Sequence, residues 1–355
     1  MTLTAPWRAA ALGLVLGVAL ACSSPDLGPF RVERVAELGD AAGPGAIPTW
    51  PRVSARHPGG FRIVVPQSGS TAFQPMAFDD GGNFLGLLDA PSTAESSFVQ
   101  PLFTRLGPDG TIWVFDAAAR VLVFDAMRRY QRTVALPIAP WDAVVLADGR
   151  LAVTSSAYGT PLPWFLLDRD GRVVRRFGDG GEVVPSPRRI VAGHNGTVWT
   201  LTMTHRQRIE HWDTAGTLLT ALEPTSTWFT SYDRITSPSD SSPPQSTIQD
   251  GWVDADGRLW LVGKAADVLW RSGLGSSGIS IVKPDQVYDT VVEVRDPDTG
   301  ALVESARFDV SYPFVVEPGI LMRPRVIEGG WFRAELVEVS LVAKASGDRT
   351  PAPRE

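Results

Sequence analysis

One phrase recurs along this chain: a tight glycine turn followed by a short apolar run that usually carries tryptophan. The clear copies are Asp109-Gly110-Thr111-Ile112-Trp113-Val114, Asp148-Gly149-Arg150-Leu151-Ala152-Val153, Asn195-Gly196-Thr197-Val198-Trp199-Thr200 and Asp256-Gly257-Arg258-Leu259-Trp260-Leu261. Weaker copies stand at Pro58-Gly59-Gly60-Phe61-Arg62-Ile63 and Glu317-Pro318-Gly319-Ile320-Leu321-Met322. Self-similarity at a period of roughly 40–60 residues marks a radial or stacked repeat, because a single repeat cannot bury its apolar face alone. The repeat constrains the fold far more tightly than the function.

The turn pair has a mechanical role. A two-residue hairpin needs positive φ at both central residues, which Asn, Asp and Gly tolerate best. The residues that follow alternate apolar and polar, as a half-buried strand does. Each phrase therefore reads as the second strand of an antiparallel unit. Trp113, Trp199 and Trp260 share one register, where a large ring can pack between neighbouring sheets. A second turn signal follows at Asp79-Asp80-Gly81-Gly82, Phe124-Asp125, Asp168-Arg169-Asp170-Gly171, Asp213-Thr214-Ala215-Gly216 and Asp296-Pro297-Asp298-Thr299-Gly300. Two hairpin turns give four strands per unit, the content of one propeller blade.

The first-turn glycines are Gly60, Gly110, Gly149, Gly196, Gly257 and Gly319, spaced by 50, 39, 47, 61 and 62 residues. The expectation is an all-β, six-bladed β-propeller of four-stranded antiparallel blades over residues 30–342, with insertions at about 225–248 and 262–290. The last unit runs out of chain one strand short, and Phe30–Leu38 has the alternation to supply it. Pairing that N-terminal strand into the last blade closes the ring and removes open sheet edges.

Residues 105–132, from Arg105-Leu106-Gly107-Pro108-Asp109-Gly110 through Arg120-Val121-Leu122-Val123-Phe124-Asp125, resemble a blade of the six-bladed NHL-type propellers. The likeness is strongest in blades two to four and covers most of residues 55–342. It departs from the family after the tryptophan strand, where Asp116 is followed by Ala117-Ala118-Ala119 rather than an Asp-Thr-Gly-Asn-type turn. The resemblance implies a fold that hosts many unrelated functions. It includes protein- and RNA-binding modules and, in neighbouring superfamilies, lactonases and lyases.

The N-terminus carries the second informative pattern. Arg8 precedes an apolar run from Ala9 to Ala21, too short to span a bilayer and fitting a secretory h-region. It ends Val18-Ala19-Leu20-Ala21-Cys22, and Cys22 is the only cysteine in the chain. This resembles a bacterial lipobox with Ala19 and Leu20 in swapped order, which makes residues 1–21 a signal peptide and Cys22 the lipidated first residue. The plainer reading is an ordinary signal cleaved near Ala21. Residues 22–29 then form a tether and 343–355 a solvated tail. The expected location is the bacterial envelope, lipid-anchored at the outer membrane's periplasmic side or at the cell surface, as a monomeric propeller. Removing the leader takes away Arg8 alone, so 32 basic residues face 39 acidic ones and the net charge is −7. No basic stripe offers itself to a phosphate backbone, which argues against nucleic acid as a partner.

Catalytic constellations are thin. His57 and His194 sit at glycine turns, and His205 and His211 flank a hairpin without carboxylates at metal-ligand spacing. No phosphate loop or nucleophile elbow is present. The Asp-Xaa-Asp-Gly pieces at 168–171 and 296–300 resemble fragments of a calcium loop but fall on turns. No catalytic and no metal residues are assigned. A site would lie at the mouth of the central channel, where the innermost strands begin. The polar and aromatic residues expected there are Gln100, Trp141, Asp142, Arg188, Arg189, Gln249, Asp250 and Tyr312. Arg188 and Arg189 opposite Asp142, Gln249 and Asp250 could hold a small anionic ligand or a partner's carboxylate, or could simply neutralise one another around water. Three functions remain open. One is a non-catalytic lipoprotein binding an envelope protein or small molecule, without cofactor, through a propeller face and the 225–248 loop. Another is a Ca²⁺- or Zn²⁺-dependent hydrolase, lactonase or lyase, and the third is a structural envelope element.

Overall fold

Each repeated glycine turn joins the first two strands of a four-stranded antiparallel sheet, and six such sheets are present. The computed structural model describes residues 28–67, 74–89, 97–155, 164–178, 187–236, 242–268, 270 and 284–342. The expected leader, Cys22, most of the tether and the tail lie outside the described residues, as do 237–241, 269 and 271–283 within the two insertions.

Phe30–Leu38 (β1) comes first. Blade one is Pro51–Val53 (β2), Phe61–Pro66 (β3), Met76–Asp79 (β4) and Phe84–Leu87 (β5). Blade two is Pro101–Leu106 (β6), Ile112–Asp116 (β7), Arg120–Phe124 (β8) and Tyr130–Ala135 (β9). Blade three is Pro140–Val145 (β10), Leu151–Ser155 (β11), Trp164–Leu167 (β12) and Val173–Phe177 (β13). Blade four is Arg188–Ala192 (β14), Val198–Thr202 (β15), Ile209–Trp212 (β16) and Leu218–Leu222 (β17). Blade five is Thr247–Val253 (β18), Leu259–Ala266 (β19), Tyr288–Arg295 (β20) and Leu302–Phe308 (β21). Blade six is Phe314–Glu317 (β22), Ile320–Val326 (β23) and Phe332–Leu341 (β24).

The fourth strand of blade six is β1. It pairs antiparallel with β24 from Phe30 opposite Leu341 to Leu38 opposite Ala334, as the alternation of residues 30–38 predicted. The ring is thus fastened by chain segments from both ends of the propeller, and blade six keeps no bare outer edge at β24.

Six apolar clusters hold the ring, one at each blade-to-blade seam. Trp113 packs with Ala143, Leu151, Val153 and Leu167 of blade three. Trp199 packs with Ile248, Leu259 and Leu261 of blade five, and Trp260 with Leu321, Val337 and Val339 of blade six. In blade three the tryptophan position of the phrase is Ala152. There Trp164 and Phe177 supply the bulk, stacked at 3.6 Å, and pack toward blade four.

The turns differ from the two-residue form read from the sequence. Gly107 N–H donates to the Thr111 carbonyl at 2.8 Å and Gly110 N–H to the Gly107 carbonyl at 3.0 Å, which closes a three-residue loop. Only Gly110, at φ +77, is left-handed, and the same holds at Gly149 and Gly257. The aspartates before these glycines keep ordinary φ because the extra loop residue absorbs the twist. Among the six repeated turns, only Asn195-Gly196 has both residues at positive φ, 55 and 77.

Candidate functional site

Every innermost strand runs from one common face toward its glycine turn, so the starts of β2, β6, β10, β14, β18 and β22 share one mouth, called here the upper face. Three of these strands carry the same irregularity. Register slips between Pro101 and Phe103 in β6, between Pro140 and Asp142 in β10 and between Ile248 and Asp250 in β18. A bulge of this kind leaves one residue out of the ladder and re-aims the next side chain. Two of the bulged carbonyls gain partners from a neighbouring blade. Gln67 Nε2 donates to the Leu102 carbonyl at 2.8 Å, and Arg189 Nε donates to the Gln249 carbonyl at 2.7 Å.

Asp142 follows the β10 bulge and is buried. It accepts the backbone N–H of Ala143 at 3.0 Å and of Ile190 at 3.1 Å, and a guanidinium N–H of Arg105 at 2.5 Å. Arg189 stands 4.0 Å away. Asp142 therefore ties blades two, three and four together. Asp250 takes the equivalent place in blade five, but its carboxylate accepts only the Gly251 N–H, at 2.9 Å, among the described residues. Burial, and then the negative charge of Asp142, push its carboxyl up to about 6, against the lowering pull of Arg189 and Arg105.

Arg52, from the three-residue β2, completes the channel wall. Its guanidinium lies 5.3 Å from the centre of the Phe314 ring and makes no hydrogen bond or ion pair among the described residues. Burial and the adjacent charges of Arg189 and Arg105 bring it down to about 9, although Asp142 and Asp250 pull the other way. Both Arg52 and Asp250 keep partial exposure because their tips border the channel, while protein surrounds them on the other sides. Arg52, Arg105 and Arg189 against Asp142 and Asp250 leave this wall with a net charge of +1.

The expected residues divide accordingly. Asp142, Arg189 and Asp250 converge on the channel. Trp141, the bulged residue of β10, lies under Arg189 at 5.6 Å and points its indole N–H at Met203 Sδ, 3.3 Å away. Gln249 contributes its carbonyl, while its side-chain amide turns back to Thr247 Oγ1. Arg188 does not oppose Asp142. Side chains alternate along a strand, so with Arg189 in the channel Arg188 lies on the blade face. There it donates to Glu210 Oε2 at 2.7 Å. Tyr312 is packed in the apolar seam between blades five and six, with its N–H donating to Thr290 Oγ1 at 2.7 Å. Gln100 is fixed at the rim of its own blade, its N–H donating to Asp116 Oδ2 at 3.1 Å.

Arg52, Arg105 and Lys264 were missed. The turn glycines offered a usable ruler: Asp142, Arg189 and Asp250 each stand seven residues before one. Arg52 stands eight before Gly60, and Arg105 five before Gly110, reaching the mouth only through its long side chain. Lys264 lies two residues before the upper end of β19, its ammonium 4.0 Å from the centre of the Tyr288 ring. Burial lowers it to about 8. The 225–248 loop is only partly available as a ligand loop, since Trp228 and Phe229 pack onto blades four and five. An added Cβ at Gly263 would meet the Trp228 ring at 2.1 Å, so only glycine fits beneath it. Ser226 and Trp228 also donate to Glu293, itself in a buried ion pair with Arg295.

The histidines are committed to structure. His57 accepts the Gly59 N–H on Nδ1 at 2.8 Å, which makes Nε2 the donor to the Gly110 carbonyl at 2.8 Å. His194 Nε2 lies 2.9 Å from the Asp254 carbonyl, and His211 stacks on Trp199 at 4.0 Å with Nε2 on Thr197 Oγ1. His205 Nδ1 meets Thr204 Oγ1 at 2.8 Å. The calcium-like aspartates cap their own turns: Asp168 Oδ1 accepts the N–H groups of Asp170 and Arg172, and Asp296 Oδ1 those of Asp298 and Thr299.

No protein-family model and no curated protein sequence matches this chain. Comparison with solved structures gives distant matches. A protein of unknown function from Bacteroides caccae is 13% identical, with a TM-score of 0.42 over 74% of this chain and 81% of that one. A gluconolactonase from Xanthomonas campestris is 13% identical, with a TM-score of 0.49 over 88% of this chain and 91% of that one. At such identity and TM-scores below 0.5 the likeness carries no argument. The six-bladed propeller stands on the sheets themselves.

Proposed function

We propose that this propeller is a binding protein of the bacterial envelope, held by a lipid on Cys22, whose upper channel mouth takes a small carboxylate or the carboxylate of a partner protein. The observation that carries the ligand is Arg52: a guanidinium without an oxygen partner among the described residues, beside two further arginines. An oxyanion between Arg52 and Arg189 relieves like-charge repulsion and gains charge-assisted hydrogen bonds. The envelope location rests on the Ala9–Ala21 run and the lone Cys22.

A metal-dependent hydrolase fits this channel poorly; the Xanthomonas campestris protein is named a gluconolactonase. A divalent cation needs several oxygen donors and negative charge. Here Asp142 is already saturated by two backbone N–H groups and Arg105, and three guanidiniums line the wall. The test is calorimetry and thermal shift with acetate, succinate and citrate on the wild type and Arg52→Gln. Carboxylate binding that disappears in Arg52→Gln supports the reading. Binding by none of these probes, or unchanged binding in the variant, refutes it. Ca²⁺- or Zn²⁺-dependent hydrolysis of δ-gluconolactone abolished by Asp142→Asn establishes the lactonase instead.

A further inference from the structure

Blade five carries a second polar cluster on the upper face, radially outside the channel. Asp267 follows the end of β19, Asp289 is the second residue of β20 and Asp309 follows the end of β21, so the antiparallel order brings all three to one edge of the sheet. Each contributes a carboxylate oxygen, and these oxygens lie within 4.8 Å of one another. Two oxygens on one Ca²⁺ ion, at about 2.4 Å each, are separated by at most about 4.8 Å, so the three fit around a shared cation.

The decisive atom is Asp289 Oδ1. Asp289 is 1% exposed. Its Oδ2 is held by Arg307 Nε at 2.6 Å, but Oδ1 is buried with no hydrogen-bond partner among the described residues. A buried oxygen left so costs the desolvation of its lone pairs. A divalent cation supplies the missing partner. Two of the three carboxylates are buried, as in a site built into the fold, and Asp309 is the exposed one through which an ion can enter.

We propose that Asp267, Asp289 and Asp309 form a Ca²⁺ site that ties three strand ends of blade five together at the base of the 262–290 insertion. The hard carboxylate oxygens select Ca²⁺ over softer metals, and water or backbone carbonyls complete the shell. The site is independent of the channel and of the carboxylate-binding reading.

The test uses the full chain, stripped with chelator and titrated with Tb³⁺ under tryptophan excitation, then with Ca²⁺ as competitor. Trp270, whose N–H donates to the Asp267 carbonyl at 3.0 Å, is the nearby donor. The expected result is sensitised Tb³⁺ emission displaced by Ca²⁺, with the Ca²⁺ dissociation constant raised more than about tenfold in Asp309→Asn, a change in ligand charge at an exposed position. Asp289→Asn, accepted only if its circular dichroism matches the wild type, is expected to lose the signal. Asp142→Asn in the channel, held to the same circular-dichroism criterion because Asp142 ties three blades together, is expected to keep it. No sensitised emission, an unchanged constant in Asp309→Asn, or loss in Asp142→Asn overturns the proposal.

Discussion

Replacing Asp250 by Asn offers a direct test of the channel electrostatics. The substitution is nearly isosteric, and an Asn Oδ1 can still accept the Gly251 N–H that Asp250 Oδ1 holds at 2.9 Å. What it removes is a charge beside Asp142. In the folded protein the Asp250 carboxyl titrates at about 6, against 3.8 for the free group. The native state thus binds this proton more than about 100-fold more tightly, which sets a ceiling of about 3 kcal/mol. The tip borders the channel, where solvent screens it, so about 1–3 kcal/mol is the expected range. The sign follows from linkage. A carboxyl raised on folding favours the native state below the unfolded value of 3.8, and that contribution is lost as pH rises through 6. Asp250→Asn therefore gains on the wild type as pH rises, with little difference at about pH 4 and the full gain by about pH 7.5. For a domain of this size the gain amounts to about 2–6 °C in melting temperature. Thermal unfolding of both proteins at the two pH values measures it. A difference that does not change with pH, or a wild type more stable at neutral pH, would refute the reasoning and mean that Arg52 and Arg189 hold Asp250 as a stabilising ion pair.

The same titration makes carboxylate binding tighter below about pH 6, because neutral Asp250 leaves the channel wall one charge more positive; calorimetry across that range in wild type and Asp250→Asn checks it, the variant losing the pH step. Glu293→Ala strands the buried Arg295 and releases Ser226 and Trp228. It is expected to cost about 3–5 kcal/mol in denaturant unfolding and to alter tryptophan emission, and a loss below about 1 kcal/mol argues against the network. Deleting residues 30–38 removes the strand that β24 pairs with along its length. The truncated protein should aggregate or unfold cooperatively at lower temperature, and an unchanged monomer by size exclusion with an unchanged melt contradicts ring closure as the fastening.

Much of the fold was legible because its signals are local. A glycine at φ near +80, an aspartate that caps its own loop and a strand that alternates all declare themselves within a few residues. Six copies turn them into a blade count. The turn geometry was less legible: the aspartates of Asp109-Gly110, Asp148-Gly149 and Asp256-Gly257 keep negative φ, since a third loop residue takes up the twist. The candidate site was half legible. Counting back from the turn glycines reached Asp142, Arg189 and Asp250, yet it also brought in Arg188 and Tyr312. Arg188 departs because strand neighbours face opposite ways, and Tyr312 because an aromatic ring at a seam serves the core.

By itself the sequence determined the six-bladed ring, its closing strand and the tryptophan seams, since each follows from turn chemistry and period-two alternation along a short stretch of chain. Tertiary structure alone decided which charges meet. Arg52, Arg105, Asp142, Arg189 and Asp250 come from five different blades, and Asp267, Asp289 and Asp309 from the ends of three strands. Bulges re-phase several of the strands that carry them. Whether a guanidinium or carboxylate oxygen finds a partner depends on distances across the ring, which no local spacing encodes.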